Sequence, residues 1–265
     1  MRYAICSSDP SQIADARAAG FDYVETWAPT LVRPGESEAA FEDAAAQILA
    51  AGLPVETVNG FLVKGLVCVG PEAVPDKVVE YADEVLRRLA KAGVSICVFG
   101  SGWARNIPDG FPREKAEEQF VSLLSRLGPV AEETGVKIAV EPLARVECNF
   151  VNTVDEAARF ARASGSPAIG ALADFYHWAR NGETEDTILA ARDCFFHAHV
   201  ATMPNRRAPG MEPCDFSPFF RALSALGYDA RVSVEGTQPP EGPGRVEAFR
   251  AALDVLRASV RPESR

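Results

Sequence analysis

Four short segments each carry a chemically capable side chain at the end of an apolar run. Val136, Ile138, Ala139 and Val140 lead into Glu141 and then Pro142. The run is entered from Gly135 and predicts a buried parallel strand. Pro142 cannot donate to a ladder, so the strand stops there. Asp174 ends the run Ala168–Asp174, His199 lies near the end of Cys194–Val200 (CFFHAHV), and Glu235 closes Arg231–Glu235 (RVSVE). A carboxylate at the end of a buried strand must be paired, protonated or bound to a metal, because an isolated buried charge is very costly. Three carboxylates and one imidazole meeting at one point form a hard, oxygen-rich site suited to Mn²⁺, Mg²⁺, Co²⁺ or Zn²⁺. Without a cation, the three carboxylates would repel and raise one another's pKa. A divalent ion with open positions can chelate a carbonyl oxygen and the neighbouring hydroxyl. It then acts as a Lewis acid, making the α-carbon proton removable and holding the enediolate that results. A carboxylate within hydrogen-bond reach takes the proton.

The elements that must position these residues repeat with little variation. Predicted strands lie at Met1–Ser7, Phe21–Trp27, Val55–Phe61 and Val94–Gly100. The other four are the run into Glu141, Ala168–Asp174, Cys194–Val200 and Arg231–Glu235. Helices are predicted between them at Asp9–Ala19, Ser37–Ala51, Pro75–Ala92, Pro112–Thr134, Val154–Ser164, Thr184–Ala191 and Phe216–Leu226, with a closing helix at Arg245–Val260. Pro10 suits a first helical turn, and glycines such as Gly20, Gly93, Gly135 and Gly227 stop helices. Strand–helix alternation implies a parallel sheet, and eight units close as a (β/α)8 TIM barrel. A doubly wound open sheet would put a Gly-rich phosphate turn after an early strand, and no GxGxxG occurs. No Pro-, Gly- or Ser-rich linker divides the chain, and Gly236–Gly244 reads as a long last loop. We therefore expect one domain over residues 1–265.

Composition narrows the partners. The chain has 265 residues, 47% of them hydrophobic, and a net charge of −10, which argues against nucleic acid. Nothing resembles a signal peptide, and no apolar run approaches a membrane span. The six cysteines are scattered without a CxxC pair, and Cys6, Cys97 and Cys194 read as buried free thiols. A cytoplasmic protein acting on a small molecule is expected, with a homo-oligomer left open.

The pieces VEPLARVE, LADFYHW, HAHV and VSVEG stand in order at consecutive strand ends. On these the chain resembles the xylose-isomerase-like barrels, and within them the ketose 3-epimerases and hydroxypyruvate-isomerase-like proteins. The resemblance covers nearly the whole chain and is strongest from Val136 to Gly236. It implies one divalent ion, Mn²⁺ in first place, ligated by Glu141, Asp174, His199 and Glu235. It implies Glu147, His177 and an arginine after the seventh strand, taken as Arg206 beside Arg207, as substrate contacts. Glu141 and Glu235 would serve as ligand and acid/base at once, removing a proton on one face of a sugar and returning it on the other. The expected activity is that of a metal-dependent isomerase or epimerase acting on a small ketose or keto-polyol. An inosose-type dehydratase or a hydroxypyruvate isomerase is the alternative. A non-catalytic sugar-binding barrel would be expected to have lost a ligand.

Blander readings stand beside these. Asp174 and His177 taken alone read as a helix cap and a polar neighbour, and Glu235 before Gly236 as a strand exit. His197 shares a strand face with His199, one layer deeper, and reads as core or support. Trp27, Trp103 and Trp178 are ordinarily packing residues, yet all three fall just past strand ends, where a sugar site needs an apolar wall. Glu25 and Asn59 also end strands and would add polar lining. Arg105, in the SGWAR loop, reaches either the substrate or only solvent. The last loop, TQPPEGPG, offers no phosphate nest, so an unphosphorylated substrate is expected.

Overall fold

A computed structural model describes residues 1–260. Eight parallel strands close on themselves in sequence order: β1 (Arg2–Cys6), β2 (Tyr23–Trp27), β3 (Val55–Asn59), β4 (Ile96–Phe99), β5 (Lys137–Val140), β6 (Ile169–Asp174), β7 (Phe195–Val200) and β8 (Arg231–Val234). The fold is a (β/α)8 TIM barrel, as the alternation predicts. Every predicted strand and helix is present, with ends displaced by a residue or two. Three short helices were not foreseen: Ala28–Val32, Gly102–Arg105 and Phe175–Arg180. Each is under two turns long, too short to imprint a helical period.

Pleating decides what faces the barrel axis, because side chains two apart on a strand share a face. Ile96, Val98, Ala139 and Leu172 form a small apolar cluster of their own, separate from the main core between sheet and helices. Further along the same alternation come Gly100, Glu141 and Asp174. On β2, β3, β7 and β8 the inward pairs are polar: Tyr23 and Glu25, Thr57 and Asn59, His197 and His199, Ser233 and Glu235. The register aligns Asp174 with His199 and His199 with Ser233. Helices enter and leave cleanly. Asp9 accepts from the Ser11 N–H at 2.9 Å ahead of Pro10. Gly135, at φ 73°, takes the left-handed turn that leads from Arg113–Thr134 into β5.

Outside the sheet, Phe120 is fully buried. Its ring centroid lies 5.7, 5.4 and 5.3 Å from those of Phe99, Phe150 and Phe160. The six cysteines are free, with Cys97 and Cys194 buried and Cys6 half-buried. No helix among the described residues is long and apolar enough to cross a membrane.

Two stability predictions follow. Phe120→Ala should cost about 3–5 kcal/mol and lower the urea midpoint, whereas a loss under about 1 kcal/mol would show that the phenyl cluster carries little. Glu183 holds the Val154 N–H at 2.8 Å with Oε2, while its Oε1 is buried without a partner. Burial pushes its carboxyl up to about 7. The folded state therefore binds this proton more tightly than the unfolded chain does. Its contribution is fully present below the ordinary glutamate range and is lost as pH rises to about 7. Thermal unfolding at pH 5 and pH 8 should show a decline that Glu183→Gln reduces, and an equal decline in both proteins would refute this assignment.

Candidate metal centre and substrate cavity

Closure of the barrel brings the four predicted strand-end residues together. One ligand atom each from Glu141, Asp174, His199 and Glu235 lies within 4.8 Å of the others. That span suits donors placed ~2.0–2.6 Å from a single ion. His199 Nδ1 is 3.4 Å from Glu141 Oε1, 3.5 Å from Glu235 Oε2 and 4.0 Å from Asp174 Oδ2. Two of these atoms, His199 Nδ1 and Glu141 Oε1, are buried without a hydrogen-bond partner. Orphaned buried donors aimed at one point, three of the four groups being carboxylates, fit a hard divalent cation.

Each member is positioned by its own element. Asp174 caps the helix Phe175–Arg180: Oδ1 accepts from the Tyr176 N–H at 2.7 Å, leaving Oδ2 toward the cluster. The cap reading and the cluster reading are thus both realised. Glu141 lies one residue past β5, under the constraint of Pro142. Its carboxylate occupies the space that a side chain at Gly100 would need. Glu235, one residue past β8, receives Asn59 Nδ2 at 2.9 Å on Oε1 and Arg206 Nη2 at 2.6 Å on Oε2.

The electrostatics follow from this crowding. Burial and then the neighbouring Glu235 charge push the Glu141 carboxyl up. Glu235 is half-buried, which alone would raise it, yet His199 and Arg206 hold it down at about 2. Burial alone would lower His199, but Glu25 and Glu235 raise it well above the ordinary histidine range. The cluster draws positive charge to its centre, as a cation site must.

Above it opens a cavity of about 190 Å³, lined in part by Trp27, Trp103, Glu147, His177 and Arg206. His177 Nδ1 accepts the Ala144 N–H at 3.1 Å, so a neutral ring carries its proton on Nε2, which has no partner. Arg206, rather than Arg207, faces the cavity. Its Nη1 lies 3.7 Å from Glu147 and its guanidinium stacks 5.0 Å from the Tyr176 ring centroid. Its own backbone sits at φ 50°, a turn the sequence did not announce.

Three expectations are corrected. Trp178 does not line the cavity: it packs on Phe175 and Phe219, and its indole N–H donates to the Thr184 carbonyl at 3.2 Å. Its helix turns it away from the mouth. Arg105 reaches neither cavity nor solvent. It is fully buried and donates from Nη2 to the backbone carbonyl of Glu141, where burial lowers its pKa. Glu25 is not cavity lining but a buried partner of His197 and His199. Gly100 escaped sequence reading altogether, and only its place opposite Glu141 reveals it.

Glycine at 100 generates a direct prediction. Mn²⁺ or Co²⁺ should raise the melting temperature of the protein by mass action. Gly100→Ala should displace the Glu141 carboxylate and shrink that rise. An unchanged metal-induced shift in the variant would remove Glu141 from the ligand set.

The profile of the family described as "Xylose isomerase-like TIM barrel" matches residues 13–259. A 3-dehydro-D-guloside 4-epimerase of Escherichia coli (strain K12) is 32% identical over 185 residues, covering 66% of this chain and 68% of that protein. An L-ribulose 3-epimerase of Methylomonas sp. (strain DH-1) is 27% identical over 241 residues, 84% of this chain and 76% of its own. Among solved structures, D-psicose 3-epimerase with D-tagatose from Clostridium cellulolyticum H10 superposes with a TM-score of 0.82 at 20% identity. It covers 99% of this chain and 100% of that one. A 3-keto-D-glucoside 4-epimerase from E. coli gives a TM-score of 0.79 at 25% identity, covering 97% and 99%.

Proposed function

The chain belongs to the xylose isomerase-like TIM barrel family and is an enzyme of the isomerase class, and from that premise we propose that it epimerises a carbon beside a sugar carbonyl, with one divalent cation as cofactor. The observation that carries this reading is the convergence of Glu141, Asp174, His199 Nδ1 and Glu235, two of whose buried atoms lack any partner. A divalent ion held by these four would polarise the carbonyl and offset the negative charge that develops as the proton leaves. Mn²⁺ suits three carboxylates and one imidazole, with Mg²⁺, Co²⁺ and Zn²⁺ as alternatives.

The chain's own residues supply the remainder. Glu141 and Glu235 rise from β5 and β8 and are the two candidates for moving the α-carbon proton. One withdraws it from one face of the sugar, and the other returns a proton to the opposite face. Positioned acid/base groups of this kind contribute ~10²–10⁴-fold each. The Nε2–H of His177 donates to a substrate oxygen, and Glu147 and Arg206 hold hydroxyls at the rim.

The preferred substrate is a small unphosphorylated ketose or keto-polyol. A cavity of about 190 Å³ is small, below the ~300 Å³ where drug-sized sites begin. Arg206 is already engaged by Glu235, Asp174 and Glu147, so a phosphate would meet carboxylates at the mouth with this cation spent. One observation favours a second reading, a keto-glycoside epimerised at the ring carbon next to its carbonyl. The relative at 32% identity is a guloside 4-epimerase. Trp27 and Trp103 stay 51% and 43% exposed beside the cavity, offering flat apolar faces to the part of a glycoside that the cavity cannot enclose.

Incubation with free ketoses, ketose phosphates and 3-keto-glycosides in deuterated water, read by NMR, tests both readings. Deuterium at C3 of a free ketose supports the first, and deuterium at C4 of a keto-glycoside supports the second. A strong preference for ketose phosphates refutes the unphosphorylated assignment, and no exchange into any of them refutes both. Glu141→Gln and Glu235→Gln, compared metal-replete, should each lose at least ~10²-fold in exchange rate. Near-normal exchange in either variant removes that residue from the acid/base pair.

A further inference from the structure

Glu25 has no part in the proton chemistry just described, yet it is fully buried at the barrel axis directly beneath the cation cluster. Its Oε1 lies 2.9 Å from His199 Nε2. Its Oε2 lies 2.8 Å from His197 Nε2 and accepts the Thr57 hydroxyl at 2.7 Å. The two imidazoles stand edge to face, at 86° and 4.8 Å between centroids. Behind them Ser233 Oγ lies 3.3 Å from His197 Nε2 and 2.9 Å from the Tyr23 hydroxyl.

Thr57 donates its hydroxyl to Oε2, each carboxylate oxygen stands against one Nε2, and carboxylate oxygens so surrounded act as acceptors. Both histidines must therefore bring an Nε2–H to Glu25, and a neutral ring then has its lone pair on Nδ1. In His199 the Nδ1 position faces the carboxylates of Glu141, Glu235 and Asp174, where a bound cation would take the place of a ring proton. Cys6, Glu25 and His199 also lie close enough to form a second trio of donors. The two oxygens of Glu25 are already taken by the imidazoles and Thr57, so that trio lacks a free carboxylate. Resting on the metal reading above, we propose that Glu25 is a positioning residue: it fixes the tautomer and ring orientation of His199 so that Nδ1 is the cation ligand, and Thr57 and His197 hold Glu25 in place to do so. A carboxylate behind a ligating imidazole also raises the basicity of the ring.

Glutamine at this position separates the proposal from a merely structural role. Its amide offers one acceptor and one donor to two Nε2–H groups. One imidazole must adopt the other tautomer: if it is His199 the lone pair leaves Nδ1, and if it is His197 the ring of His199 still loses the carboxylate that raises its basicity. We expect Glu25→Gln to bind Co²⁺ about 10–100-fold more weakly than wild type, measured by competition with a chelator and needing no substrate. Wild-type affinity in a folded Glu25→Gln protein overturns the proposal. Wild-type protein that binds no Co²⁺ overturns the metal reading instead, and with it this one. Should the variant fail to fold, the wild-type protein still decides. In its Zn²⁺-loaded form, ¹⁵N–¹H correlation of the histidine rings should place the His199 proton on Nε2. A proton on Nδ1 overturns the proposal.

Discussion

Everything at the mouth of this barrel depends on keeping four carboxylates close together near its axis. Glu25 and Asp174 are almost wholly buried, Glu141 nearly so, and Glu235 is the least covered. Charges so placed cannot all remain ionised without compensation. The chain supplies part of it: His197 and His199 for Glu25, and Arg206 for Glu235 and Asp174. At the centre, positive charge is drawn to the point where unpartnered donors meet. The divalent cation proposed for this point would thus answer charge crowding before it served catalysis.

The barrel meets this demand through the alternation of side chains along its strands. One inward layer is apolar on β4, β5 and β6 (Val98, Ala139, Leu172), and the next layer out holds Gly100, Glu141 and Asp174. On β2, β3, β7 and β8 both inward layers are polar. The lumen is therefore dry on one side and hydrogen-bonded on the other, and the histidine pair of β7 reaches across to Glu25 on β2. Removing one methylene or one hydroxyl from this set would leave a buried polar atom unpartnered, a cost of ~1–3 kcal/mol.

Much of this was legible in the sequence for a simple reason. Strand ends are marked locally, by an apolar run and then a polar residue, and the barrel turns consecutive ends into spatial neighbours. Glu141, Asp174, His199 and Glu235 could be grouped that way. Glu25 could not, because β2 lies across the barrel from β7 and only closure puts a carboxylate opposite two imidazoles. Arg105 is not legible because a charged residue in a loop ordinarily seeks solvent or ligand, and no local pattern announces a buried guanidinium holding a backbone carbonyl. The choice between Arg206 and Arg207 rested on a left-handed backbone turn at a residue other than glycine. Trp178 stands close enough to a strand end to suggest the mouth, and the short helix Phe175–Arg180 rotates it into the core.

The double duty of Asp174 links two parts of the site. One of its oxygens caps the helix Phe175–Arg180 while the other faces the cation cluster, and His177 lies on that helix less than one turn away. A ligand that pulls on the second oxygen tightens the same carboxylate that pins the helix start. Under the metal reading, the carboxylate that would hold the ion is also the one that fixes the start of the helix carrying His177, so the ion and the sugar-facing histidine would share a single anchor.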